Sequence, residues 1–146
     1  MLAARDPVER VELLIKLTER LTALLEQETM LFEARRPRDA VAFQPEKTEL
    51  ATLYRHESAR VGKDPSLVGG APPPRRAALA AATQAFHHAL AANQYAGEAL
   101  RTISEGIVRA IAEEVARRRS GAPSYGPGST AAAQPAGAAI TLNQTV

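Results

Sequence analysis

From Arg75 to Arg119 the larger apolar residues fall at Leu79, Phe86, Leu90, Leu100, Ile103, Ile107 and Ile111, with Thr83, Asn93, Gly97 and Ser104 filling the intervening positions. That three-and-four spacing predicts one long amphipathic helix over 75–119. At 1.5 Å per residue it would measure about 65 Å, far beyond the three or four turns of an average globular helix. A single helix cannot bury such a seam by itself, so the rest of the chain or a partner has to supply the covering surface. Gly97 and Gly106 each cost a helix interior roughly 1 kcal/mol relative to alanine, which allows a bend near Gly97, although glycine on a seam also permits close helix approach.

The rest of the chain offers the partners. Asp6-Pro7-Val8-Glu9 puts an acceptor at N-cap, proline at N1 and glutamate at N3, which predicts a helix start. Val11, Leu14, Thr18, Leu21, Leu25 and Phe32 keep heptad spacing, and Leu17, Leu24 and Leu31 form an adjacent apolar row, so a first helix over 7–35 can contact two neighbours at once. Pro37 ends it, just after Arg35 and Arg36. Asp39 can cap a short turn through Ala40–Phe43, and Pro45, tolerated only in a first turn, marks a fresh helix entry near Gln44. The second helix, over 45–61, presents Leu50, Leu53, Tyr54 and Val61 on one side. Gly62 then opens a loop over 62–74 whose glycines and prolines disfavour regular structure.

On the long helix Arg101, Glu105, Arg109, Glu113 and Arg117 stand at successive four-residue steps, with Glu114 and Arg118 alongside. Such pairs are worth only about 0.2–0.5 kcal/mol each, but together they mark a solvated face. The run Ala77–Ala85 is made of small residues and contributes little burial. From Ser120 the composition changes to Gly, Pro, Ser and Ala without a charged side chain, too little apolar surface to offset ordering entropy, so a disordered tail is expected over 120–146. Its end, Ile140–Val146, regains a partly alternating apolar pattern that suits either a docking motif or a chance cluster.

These elements predict an all-α fold: an elongated antiparallel helical bundle or coiled coil of two long helices and a shorter middle one, with a 6–119 helical domain and the tail. Aromatics at 4%, no tryptophan and scattered β-branched residues suggest neither a sheet nor a roomy aromatic pocket. The 18 basic and 16 acidic side chains are interspersed, and the clusters Arg35-Arg36-Pro37-Arg38 and Arg117-Arg118-Arg119 sit where helix ends attract cations. No basic stripe of the kind nucleic acid needs is formed. The chain has no cysteine, which excludes disulfides and thiolate chemistry and gives no sign of an oxidising compartment. The N-terminus turns charged before an apolar signal core could form, and no apolar run approaches the 18–20 residues of a membrane span. A cytoplasmic, soluble chain is expected.

Chemistry finds little footing. No glycine-rich phosphate cradle, zinc-binding histidine pair or Ser/His/Asp constellation is present. His87 and His88 diverge by about 100° on a helix and have no carboxylate within four residues, poor geometry for a metal. Histidine phosphotransfer domains, which are small and all-α, place lysine and glycine three and four residues after the histidine; Leu90 and Ala91 follow His87 there, and Ala91 and Ala92 follow His88. The carboxylates, including Glu113 and Glu114, read as exposed and paired with opposite charge, so none is expected to have a raised pKa. No catalytic, cofactor or metal residue is assigned, and the sequence points away from an enzyme.

The leucine-rich first helix with its Leu24-Leu25-Glu26-Gln27-Glu28-Thr29 segment, the break Arg35-Arg36-Pro37-Arg38-Asp39-Ala40, the restart Gln44-Pro45-Glu46-Lys47-Thr48-Glu49-Leu50 and the long last helix together resemble the FlgN family of flagellar export chaperones over about residues 8–119. The pattern is similar in particular to the alphaproteobacterial branch known as FlbY. The resemblance implies a cytosolic protein that binds the C-terminal helices of hook–filament junction proteins, keeps them unassembled and delivers them to the type III export gate. Leu100, Ile103, Ile107, Ile111 and Val115 are the candidate partner-facing row; the same row could instead pack on the first helix, and both readings stand at this point. Two further readings are a self-associating coiled-coil adaptor without a client and, more distantly, a histidine phosphotransfer domain.

Overall fold

A computed structural model of the chain describes residues 2–121, and all its regular structure there is helical. Helix α1 spans Pro7–Glu33, a 3-10 helix follows over Pro37–Phe43, and α2 spans Gln44–Lys63. A four-residue α3, Ser66–Gly69, precedes α4, Pro73–Ser120. The predicted all-α class therefore holds. The expectations for the tail, including Ile140–Val146, lie outside the described residues.

Local chemistry accounts for the boundaries. The Asp6 side chain accepts from the Glu9 backbone N–H at 2.8 Å, and the Glu9 carboxylate accepts from the Arg5 N–H at 2.7 Å, so two N-terminal donors are satisfied. At the other end α1 stops before Pro37: Arg35 takes a left-handed conformation with φ of 59°, while the Arg36 N–H donates to Leu31 O at 2.8 Å and the Arg35 N–H to Phe32 O at 3.0 Å. This is a Schellman closure with arginine where glycine is usual. The left-handed region costs an L-residue about 1–2 kcal/mol. Arg35→Gly is therefore expected to raise the thermal midpoint slightly, by the equivalent of about 0.5–1 kcal/mol after glycine's larger unfolded-state entropy is deducted; a lower midpoint would contradict it.

Three expectations are corrected in detail. Asp39 does not cap the short turn: the 3-10 helix already runs from Pro37, and the Asp39 carboxylate pairs with Arg36 at 2.6 Å. Gly62 lies inside α2, whose last turn carries Arg60 and Lys63 near the C-terminal carbonyls, where cations are favoured. The expected 62–74 loop is shortened at both ends and holds α3, supported by Asp64, which accepts from the Ser66 N–H at 3.1 Å.

The described residues divide into two compact units, one up to Leu100 and one from Arg101 onward, with α4 contributing residues to both. In the first unit α1 supplies most of the core: Val11, Leu14, Leu17, Leu21, Leu24 and Leu25 are buried along its two leucine rows. Each such side chain contributes about 1.5–3 kcal/mol on leaving water. Leu17, Leu21 and Leu25 meet Phe86 and Ala89 of α4, and the half-buried Leu50, Ala51, Leu53 and Tyr54 of α2 pack against that cluster. Tyr54 and Phe86 lie with ring centroids 4.7 Å apart at 47°, within the range of favourable tilted aromatic pairs. The small-residue run Ala77–Ala85 buries no side chain fully, whereas Phe86, Ala89 and Ala96 do. α4 continues helically through Gly97, and a Cβ there would sit 3.6 Å from the Phe32 ring, so the glycine marks a close approach to α1 and not a break.

Candidate functional site

Two carboxylates missed as special by the sequence reading organise the first unit. Glu28, 2% exposed, accepts from Lys47 Nζ at 2.7 and 2.8 Å, from Gln44 Nε2, and from Asn93 Nδ2 at 2.9 Å. It therefore joins α1 to both α2 and α4. Glu57, fully buried on α2, accepts from Arg10 Nη1 at 3.0 Å, from the Leu2 N–H at 2.9 Å and from Arg60. The expectation that the carboxylates lie on exposed faces is wrong for these two. Their register carried the signal: Glu28 follows Leu21 and Leu25 on the buried row, and Glu57 follows Leu50, Leu53 and Tyr54.

For both groups burial pushes the carboxyl pKa up, but their partners outweigh it. Hydrogen bonds from Lys47, Asn93 and Gln44, with the Lys47 charge, hold Glu28 below its ordinary value of 4.5. The Leu2 N–H and the charges of Arg60 and Arg10 do the same for Glu57. The unfolded chain then takes up protons more readily than the folded one as pH falls below about 4.5. Their stabilisation is complete above that pH and is lost as the medium falls through the lowered folded values. A urea midpoint that declines with acid below about pH 4.5, with a smaller decline in Glu28→Gln and in Glu57→Gln, is the expected result.

The candidate partner row lies on α4. Leu100 is half-buried at the end of the first unit, and Val115 is half-buried in the second. Ile103, Ile107 and Ile111 are exposed at 38%, 55% and 59%, as is Val108 at 47%, a neighbour that the sequence reading left out although it lies beside Ile107 on the helix. A shallow groove runs along this face, lined by Ile107, Ala110, Ile111, Glu114, Val115 and Arg118. These branched aliphatic side chains make the row a candidate interaction face. Ion pairs edge it: Arg101 meets Glu105 at 3.7 Å, while Glu114 pairs with Arg117 and, at 3.0 Å, with Arg118. The four-step ladder is thus realised at its first rung, and Glu114 replaces Glu113 as the acceptor at the last.

His87 and His88 are exposed, and the His87 ring lies 5.7 Å from that of Phe86. Among the described residues no cluster of three or more His, Cys, Asp or Glu side chains is placed to hold a metal, and no helix is long and apolar enough to cross a membrane.

Fold and face together define an all-α protein whose last helix carries an exposed row of branched aliphatic side chains. Over 145 residues, 98% of this chain and 97% of the relative, it is 46% identical to the flagellar basal-body protein FlbY of Caulobacter vibrioides. The chain belongs to the FlbY family of flagellar proteins. No protein-family model and no solved structure matches it.

Proposed function

We propose that this chain is a cytoplasmic flagellar export chaperone of the FlgN type, without catalytic activity, cofactor or metal. It binds the amphipathic C-terminal helices of hook–filament junction proteins, keeps them from assembling early, and passes them to the export gate. The observation that carries this reading is the open row Ile103, Ile107, Val108 and Ile111, in a family whose named relative is flagellar. An amphipathic helix laid on such a row completes a helical bundle and removes both apolar faces from water. Calorimetric titration of the chain with C-terminal segments of hook–filament junction proteins is expected to show one-to-one binding with a negative heat-capacity change.

The relative's name favours a second reading, a resident component of the basal body. That reading predicts fixed stoichiometry in purified basal bodies and no heat on titration with the client segments. The exposed row would also serve a self-associating adaptor, which would show a dilution-dependent mass in sedimentation and no client. Tight one-to-one client binding by a monomer would set both aside.

A further inference from the structure

α2 is held in a manner unlike its neighbours. Its one fully buried side chain is charged, Glu57, while its apolar contribution, Leu50, Ala51, Leu53 and Tyr54, is only half-buried. α1 by contrast buries a continuous leucine seam. Buried ion pairs lose much of their attraction to desolvation, so the contacts of Lys47 with Glu28 and of Glu57 with Arg10 fix the register of α2 more than they add to its hold. The exposed Arg20–Glu46 pair at 2.7 Å adds little. On either side α2 is joined through segments outside the long helices, the 3-10 helix before it and residues 64–72 after it.

We propose that α2 is a clasp that opens as a unit while α1 and the first part of α4 stay folded, and that the groove it uncovers accepts a second amphipathic helix. The floor of that groove is Leu17, Leu21, Leu25, Phe86 and Ala89. When α2 leaves, Glu28 keeps Asn93 but loses Lys47 and Gln44, and Arg10 loses Glu57. An apolar floor with a carboxylate at one end and a guanidinium at the other is complementary to a helix carrying a cation and, about 15 Å further along, a carboxylate. α2 itself carries that pair as Lys47 and Glu57. The occupant is a partner helix of this charge order; its identification with a flagellar client rests on the proposed function, whereas the opening does not.

The chain has no cysteine, so Ala89→Cys places a single thiol in the floor. Its labelling by a thiol-specific aromatic disulfide is expected to run about tenfold or more faster than global unfolding permits, with a weak dependence on urea, as for a subglobal opening. A synthetic peptide copying residues 44–63 at millimolar concentration is expected to slow the labelling, and the same peptide with K47E and E57K to leave it unchanged. Labelling that tracks global unfolding would overturn the clasp, and equal protection by both peptides would overturn the charge-matched occupant. Should the Ala89→Cys variant fold poorly, hydrogen exchange on the unmodified chain decides: block exchange of 44–63 ahead of α1 supports the clasp, and simultaneous exchange of the two overturns it. Adding Ile107→Asp to the Ala89→Cys variant is expected to leave the labelling rate unaltered, so a failure of the client reading and a failure of the clasp are read separately.

Discussion

Glu57→Ala is expected to lower the unfolding free energy by about 3–5 kcal/mol, the scale on which removing one member of a buried ion pair acts. Domains of this size are stable by only about 5–15 kcal/mol in total. The loss has an identifiable origin. Arg10, 7% exposed, would be left charged beside the core, and the Leu2 N–H would lose its acceptor. Urea denaturation followed by circular dichroism measures the effect, with the exposed Glu98 as a control whose replacement by alanine should stay within about 0.5 kcal/mol. Because the damage comes from the orphaned charge, the paired change Arg10→Met with Glu57→Leu should recover most of it. A single-variant loss below about 1 kcal/mol would mean that Arg10 is not left buried and uncompensated when Glu57 is removed.

Ile107→Asp should do the opposite, leaving stability nearly unchanged while abolishing client binding. Its side chain is 55% exposed, so the free protein loses little burial, and surface changes of this kind usually fall within about 0.5 kcal/mol. In the complex the new carboxylate would be enclosed between two apolar helix faces without a partner. Burying an unpaired charge there costs several kcal/mol, so a reduction in affinity of a hundredfold or more is expected. Ile111→Asp, at 59% exposure, should act alike. Calorimetry gives the affinity and far-ultraviolet circular dichroism confirms retained helix. Unchanged affinity in both variants would remove the groove along Ile107 and Ile111 from the binding surface.

What the residues revealed in advance was periodicity. The two leucine rows of α1 and the spacing of Phe86, Leu90 and Asn93 on α4 follow directly from helical geometry, and the structure buries Leu14, Leu17, Leu21 and Phe86 accordingly. At Gly97 the sequence left a bend and a close approach both open, and the structure decides for the close approach, to Phe32. Pairing was not legible. The register of Glu28 and Glu57 placed them on buried rows, but their partners Lys47, Asn93 and Arg10 come from sites 19, 65 and 47 residues away, and local patterns carry no such long-range information. The start of the 3-10 helix was also hidden, since it depends on Arg35 accepting a left-handed conformation that composition disfavours. Val108 was overlooked because a four-step count follows one row and passes over its neighbour.

The candidate face can be read most directly by hydrogen exchange of the full chain with and without a saturating C-terminal segment of a hook–filament junction protein. Protection concentrated on α4 between Leu100 and Val115, absent in Ile107→Asp, is the predicted result. Binding whose protection leaves 100–115 untouched, or no binding of any such segment, would contradict the assignment of that row as the client-docking surface.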